Sequence, residues 1–206
     1  MKVILIRHGE TTANRKGIFS GHLDAKLTEK GKEQAINCRN RIVNLKIDYV
    51  FSSDLSRAVD TAKIVIESRN LDIEEKSGLR EMNFGEWEGC KYDEIGEKYP
   101  DEFNVWSKDT LNIPCLNGES RRTFYFRVIK EYKELINRFD YTNKDKNKTI
   151  AIFAHSGVVR SILSSEIIGD IDGYWKFEID NCSVNILEYD EKGFCYAKKI
   201  NSLEKI

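Results

Sequence analysis

Residues 1–14 read MKVILIRHGETTAN. Val3 to Ile6 is an unbroken apolar run, the pattern of a short strand buried on both faces. It ends on a cation and an imidazole, Arg7 and His8, before the first glycine, Gly9. The chain has only three histidines, His8, His22 and His155, so an imidazole at the end of a core strand deserves a reason. The pattern recurs. Residues 149–154, TIAIFA, are equally apolar and run into His155-Ser156-Gly157. Residues 49–51, YVF, lead through SSDLS to Arg57.

Helical patterns separate these strands. Thr28 can cap a helix that carries Ala35, Cys38, Ile42 and Leu45 at helical spacing. Ser52-Ser53-Asp54 offer caps for a second, with Ala58, Ala62, Ile64 and Val65. A short strand is predicted at 71–75 and a longer helix over about 120–139, with Phe124, Val128, Tyr132, Leu135 and Phe139 on one face. A helix after Gly157 runs to about 168, and two strands, about 183–189 and 194–200, flank the turn Asp190-Glu191-Lys192-Gly193. Residues 82–118 hold both prolines, two of the three tryptophans and many charges, and read as a small helical cap. Strands alternating with helices predict an α/β protein: a three-layer α/β/α sandwich, with a mainly parallel central sheet, helices on both faces and the cap inserted at about 82–118. Residues 1–206 are expected to form one domain.

Composition narrows the function. Lys+Arg number 33 against 34 Asp+Glu, a net charge of −1, which gives no general affinity for nucleic acid or an anionic membrane. Any anion site must be local. The five cysteines are odd in number and widely spaced, without a CxxC pair, which argues against a disulfide framework or structural zinc. No leader pattern and no stretch of ~20 apolar residues is present, so a soluble, cytoplasmic protein is expected.

In open α/β sheets, ligands bind beyond the carboxyl ends of the strands. That rule brings Arg7, His8, Arg57 and His155 to one rim. Two arginines there can each grip a pair of anionic oxygens in a fork, and the amides opening the helix after Gly157 add donors. Two cations, two imidazoles and a helix N-terminus around one point predict a phosphate site. No HExxH, Walker A or GxGxxG sequence offers a rival.

These segments carry a resemblance. LIRHGETTAN, SGHLDAKLTEKGKEQA, FSSDLSRAVDTA, LREMNFGEWEG and FAHSGVVRSIL, in that order over nearly the whole chain, closely resemble the motifs of the histidine phosphatase superfamily, the phosphoglycerate-mutase-like fold. The resemblance implies that His8 is a nucleophile that becomes phosphorylated and is then hydrolysed. It implies that Glu81 is the proton donor, and that Arg7, Arg57 and His155 hold the phosphoryl oxygens. Asn14 matches a phosphate-contacting asparagine. The attacking imidazole must present an unprotonated nitrogen, which a bond from its other nitrogen to a nearby backbone carbonyl would fix. Arg80 is either a salt-bridge partner or a further pocket residue. No metal or other cofactor is expected, so activity should persist in EDTA.

Residues 79–89, and a chain that stops soon after its last strand, resemble the phosphatase branch more than the mutases. Within that branch the likeness runs toward alpha-ribazole phosphatases. It rests on Phe19-Ser20-Gly21-His22, on residues 81–88, EMNFGEWE, on Ile113-Pro114 with Asn117-Gly118-Glu119, and on Trp175-Lys176-Phe177. The implied partner is a small-molecule phosphate ester, not nucleic acid or a membrane, acting on a monomer or homodimer. Ser20, Gly21, His22 and Ser156 are the expected substrate or phosphate contacts, with His22 equally able to serve as a loop hydrogen-bonder. Phe84, Trp87, Tyr92 and Trp106 either pack the cap or face a flat substrate ring. Residues 115–117, CLN, are one residue longer than the likeness predicts, and Cys115 either lines the pocket or fills space. Broad-specificity phosphatase, mutase and non-catalytic relative are the competing readings. The intact set Arg7, His8, Arg57, Glu81 and His155 argues against the last.

Overall fold

Side chains alternate along β1 (Lys2–Arg7) and divide the core in two. Val3 and Leu5 join one apolar cluster, Ile4 and Ile6 the other, and all four are fully buried. Each such side chain contributes about 1.5–3 kcal/mol by leaving water. The structure, a computed structural model, describes residues 1–140 and 143–206.

After β1 come α1 (Thr12–Lys16), α2 (Glu29–Arg41), β2 (Tyr49–Ser53), α3 (Ser56–Ile66) and β3 (Ile73–Lys76). Then follow α4 (Tyr92–Lys98), α5 (Pro100–Lys108), α6 (Arg121–Ile136), β4 (Thr149–Ala154), α7 (Ser156–Leu163), β5 (Val184–Tyr189) and β6 (Cys195–Ser202). Among the described residues the strands form one sheet in the order β3-β2-β4-β1-β5-β6. The four strands from β3 to β1 pair in parallel, whereas β5 and β6 run antiparallel. The mainly parallel sheet is therefore mixed at one side. After α7 no long helix returns the chain along the sheet; short turns over Ser164–Ile168 and Ile171–Lys176 bring it to the carboxyl end of β1, where Val184 pairs with Ile6 and β5 runs back.

Helices cover both faces. Ala35, Cys38 and Ile42, at the end of α2, and Ala62, Val65 and Ile66 of α3 pack on Ile4, Ile6, Ala151 and Phe153. On the other side Phe124, Val128 and Leu135 of α6, with Val158 and Ile162 of α7, pack on Val3, Leu5, Ile150 and Ile152. Thr28 caps α2 as its sequence predicts: its Oγ1 accepts from Gly31 N at 3.0 Å. The predicted cap of α3 is different. Ser52 and Ser53 belong to β2, and Leu55 at the N-cap provides no side-chain acceptor. Asp24, far away in sequence, accepts from Ser56 N at 2.9 Å instead, while Ser53 and Asp54 are drawn to His155 and Arg80. The long helix stops at Ile136, short of the expected 139.

Two features fix the rim. Gly9 and Gly31 meet backbone to backbone: a Cβ on Gly9 would overlap the Gly31 carbonyl, and one on Gly31 the Glu10 carbonyl. Residues 82–118 fold around their own aromatic cluster, in which Trp87 meets Trp106 edge-on at 5.1 Å. Trp87 is 1 % exposed, so it is packing and not a face offered to a ligand. Cys115 is as buried as Trp87 and joins the same apolar cluster; it fills space. Among the described residues no helix is long and apolar enough to cross a membrane.

Leu5→Ala should cost about 2–5 kcal/mol in chemical denaturation, the price of a cavity in the central strand. Phe126→Ala, at a ring 56 % exposed on α6, should cost under about 1 kcal/mol. Equal costs at the two sites would contradict the two-core description.

Candidate active site

The three strands with charged ends are neighbours, β2-β4-β1, and parallel. Arg7 is paired with Ala154 across β1 and β4, so His8 and His155, each one residue further on, emerge side by side. Their ring centroids are 5.1 Å apart in an edge-on contact, and they are 5 % and 0 % exposed.

His8 has the tautomer that a nucleophile needs. Its Nδ1 lies 2.7 Å from Gly9 O, so Nδ1–H donates and the Nε2 lone pair is left free. Burial, then the charges of Arg57 and Arg7, hold its pKa well below the ordinary imidazole value, so the ring is neutral. The backbone behind it is tied on two sides: Gly9 N donates to Thr61 Oγ1 at 3.1 Å, and Asn181 Nδ2 to His8 O at 2.9 Å.

The two arginines play unequal parts. Arg7 donates from Nη1 to Ile179 O at 2.7 Å, and its buried Nε has no partner. Its Nε/Nη2 edge makes no bond to protein among the described residues and so can serve as a fork for an anion. Arg57 is 1 % exposed, and four of its five N–H groups are used within the protein. Nη1 donates to Leu23 O at 2.9 Å, and Nη2 to Ser20 O at 3.2 Å and Gly21 O at 2.7 Å. Nε donates to His155 Nδ1 at 3.2 Å. One N–H remains, so Arg57 offers a single donor, not a fork. His155, with Nδ1 accepting, donates from Nε2 to Ser53 Oγ at 2.9 Å. Burial, then Arg57, His8 and Arg7, hold its pKa well below normal too. In this arrangement both of its ring nitrogens are engaged by protein, and its immediate effect is to hold Arg57.

Glu81 sits on the N-terminus of α7. Its Oε2 accepts from Gly157 N at 2.9 Å and its Oε1 from Met82 N at 3.0 Å. The carboxylate thus takes an amide expected to face phosphate. A Cβ on Gly157 would push against the Glu81 carboxylate and the Tyr174 hydroxyl, so glycine here leaves Glu81 its place on the amide. Ser156 stands at the first position of α7 on the pocket wall.

The remaining predicted residues separate. Asn14 shapes the loop: its Oδ1 accepts from Thr11 N at 3.0 Å in a reciprocal cap of α1. Ser20 bonds Leu23 O through its hydroxyl at 3.0 Å. Gly21 N, His22 N and Leu23 N all donate to the Glu88 carboxylate, at 3.1, 2.6 and 2.6 Å. His22 Nε2 is buried without a partner, and burial followed by Arg127 holds its pKa below the usual value. Arg80 is committed to Asp54 in a two-bond pair at 2.7 and 2.6 Å, so it is a salt-bridge partner rather than a pocket residue.

Beside Glu81 opens a cavity of about 420 Å³, lined by Ser20, Glu81, Ser156 and Gly157 and by a largely aromatic wall. Phe84, Tyr92 and Trp106, for which the sequence leaves cap packing and a ligand-facing role both open, line it. Phe19 and Trp175, both in stretches that carry the resemblance, belong to it as well, as do Tyr174, Arg121 and Arg160, which nothing local in the sequence marks. The two arginines lie 4.8 and 5.0 Å from the Trp175 ring centre. Among the described residues Arg7, Arg57, Arg121 and Arg160 pair with no carboxylate, unlike Arg39, Arg80, Arg127 and Arg138. No group of three or more His, Cys, Asp or Glu among the described residues is placed to hold a metal ion.

The site now has a context among known proteins. The family model of the histidine phosphatase superfamily, branch 1, matches residues 3–202. An adenosylcobalamin/alpha-ribazole phosphatase of Escherichia coli K12 is 32% identical over 98% of this chain and 96% of its own. A phosphoserine phosphatase 1 of Hydrogenobacter thermophilus is 30% identical over 93% of this chain and 88% of its own. The crystal structure of the alpha-ribazole phosphatase from Shigella flexneri superposes with a TM-score of 0.91 at 30% identity, covering 99% of this chain and 98% of that one. A sheet with Arg-His at one strand end, a second histidine just beyond the adjoining strand and a family match over residues 3–202 leave one conclusion: the chain belongs to the histidine phosphatase superfamily and is a phosphoric monoester hydrolase of that family.

Proposed function

We propose that the chain hydrolyses phosphomonoesters in two steps through a phosphohistidine on His8, and that its preferred substrate is alpha-ribazole 5′-phosphate, which places it in the nucleotide-loop assembly of cobalamin. The observation that carries the chemistry is the 2.7 Å bond from His8 Nδ1 to Gly9 O, which leaves Nε2 as a free lone pair. Nε2 attacks phosphorus, and the bond to the alcohol oxygen breaks. Glu81 gives that oxygen its proton, then takes one from the water that attacks the phosphohistidine; the P–N bond breaks and His8 is restored. Arg7 holds two phosphoryl oxygens, and the remaining Arg57 N–H a third, where charge is stabilised in transfer.

The aromatic wall supports the substrate. Phe19, Phe84, Tyr92, Trp106 and Tyr174 around about 420 Å³ suit an alcohol that carries a flat ring. One observation favours a second reading, a phosphatase for small anionic metabolites such as phosphoserine: Arg121 and Arg160 face the same cavity without carboxylate partners and would welcome a negative charge on the alcohol.

Three measurements test these statements. His8→Ala should lower kcat by at least about 10³-fold and abolish the phosphoenzyme trapped by rapid quenching; full activity in that variant would end the phosphohistidine mechanism. Because His8 is held neutral, its imidazole, followed by NMR in the free enzyme, should titrate not at the ordinary value of about 6.5 but well below it. A His8 titration at about 6.5 would contradict the buried, neutral ring. In EDTA, kcat/KM for alpha-ribazole 5′-phosphate should exceed that for phosphoserine and p-nitrophenyl phosphate by roughly a hundredfold, about 2.7 kcal/mol at the transition state. A preference for phosphoserine that Arg121→Gln and Arg160→Gln remove would establish the second reading.

A further inference from the structure

The reach of Glu81 depends on a residue outside the motifs that the resemblance assigns to catalysis. Arg127, on α6, makes five hydrogen bonds, three to carbonyls of the segment that carries Glu81 and two to Glu119. Nε and Nη2 donate to the two oxygens of Glu119, each at 2.8 Å. Nη1 donates to Gly78 O and Arg80 O, both at 3.1 Å, and Nη2 also to Glu81 O at 3.2 Å. Glu119 completes the clasp, accepting from Asn83 N at 2.9 Å while its own N–H donates to Asn83 O at 2.8 Å. Residues 78–83 are thus pinned on both sides of Glu81 by one arginine–glutamate pair. The Glu81 side chain is free to point the other way, onto the amide of Gly157. Burial works against the Glu119 carboxylate, but its bonds from Arg127 and Asn83 prevail and hold its pKa below the usual range. The Arg127 guanidinium also lies 5.2 Å from the Phe124 ring centre, which fixes its plane.

We infer that Arg127 is a positioning residue for the proton donor, and that its planar fork, not its charge alone, sets where Glu81 meets the leaving oxygen. The inference rests on the proton-donor reading of Glu81. Five directed donors in one plane match five acceptors, three carbonyls of this segment and the two oxygens of Glu119; a lysine has three donors, on a flexible stem. Arg127→Lys keeps the charge and loses the fork.

A leaving-group comparison separates positioning from general damage. An alkoxide needs a proton to depart, whereas p-nitrophenolate leaves without one, so loss of a general acid falls on the alkyl ester. Expected is a fall in kcat/KM for glycerol phosphate about 10–100-fold larger than the fall for p-nitrophenyl phosphate in Arg127→Lys, in the same sense as in Glu81→Gln. If Glu81→Gln shows this dependence and a folded Arg127→Lys lowers both substrates equally, or neither, the inference is overturned and the mechanism stands. If Glu81→Gln itself lowers both equally, the proton-donor reading falls and the inference with it. Should Arg127→Lys not fold, Glu119→Gln, which removes the charge the fork grips but keeps the shape, is held to the same two outcomes.

Discussion

The parallel register of β4 between β1 and β2 is the constraint on which the site depends. Parallel pairing aligns strand ends, and here it aligns Arg7 with Ala154 and Ser52 with Phe153. Each chain then leaves its strand at the same height. His8 and His155 come out in contact, and Ser53 meets His155 from the other side. A slip of one residue would turn the imidazoles to opposite faces of the sheet. The slip is opposed by the core itself, since Val3 and Leu5 would change places with Ile4 and Ile6 between two differently shaped apolar layers.

With the imidazoles placed, electrostatics does the rest. Two neutral rings are buried against two arginines that have no acidic partners, and the nearest carboxylate at the wall, Glu81, rests on backbone amides rather than on those cations. The protein thereby leaves positive charge unanswered at one point of a chain whose total charge is −1. Low-dielectric surroundings make such charge effective toward a phosphoryl group. The same logic explains why acids elsewhere are kept in place: Asp54 by Arg80, Glu119 by Arg127, and Glu88 by three successive amides of the 21–23 loop.

Much of this could be read from the chain. The core strands, the convergence of Arg7, His8, Arg57 and His155 and the cap at Thr28 all follow from local patterns: apolar runs, residues at strand ends, a hydroxyl three residues before an amide. The tautomer of His8 follows only from the nucleophilic role that the resemblance implies. What escaped depends on partners far apart in sequence. Asp24 caps α3 across 32 residues, and Arg127 reaches back across 46 to the Glu81 carbonyl. The antiparallel direction of β5 depends on how the chain turns after α7, which periodicity does not encode. Trp87 and Trp106 look alike in the sequence, yet only Trp106 lines the cavity, because Trp87 forms the centre against which the cap packs. The fork that the sequence assigns to Arg57 is taken within the protein, Nε by His155 Nδ1 and Nη2 by the carbonyls of residues 20 and 21, partners that no local pattern names.

Those carbonyls have one more implication. Arg57 is held by main-chain oxygens of residues 20, 21 and 23, and a main-chain oxygen is present whatever the side chain. Ser20 and Leu23 can therefore vary without loosening the guanidinium, and the loop is free to drift in sequence while its mechanical task is preserved. Gly21 is the exception, since a Cβ there would overlap the carbonyl of Met82. Ser20 also lines the cavity. Substitutions at that position reshape the cavity wall and leave the hold on the Arg57 guanidinium untouched, so the two features can vary independently.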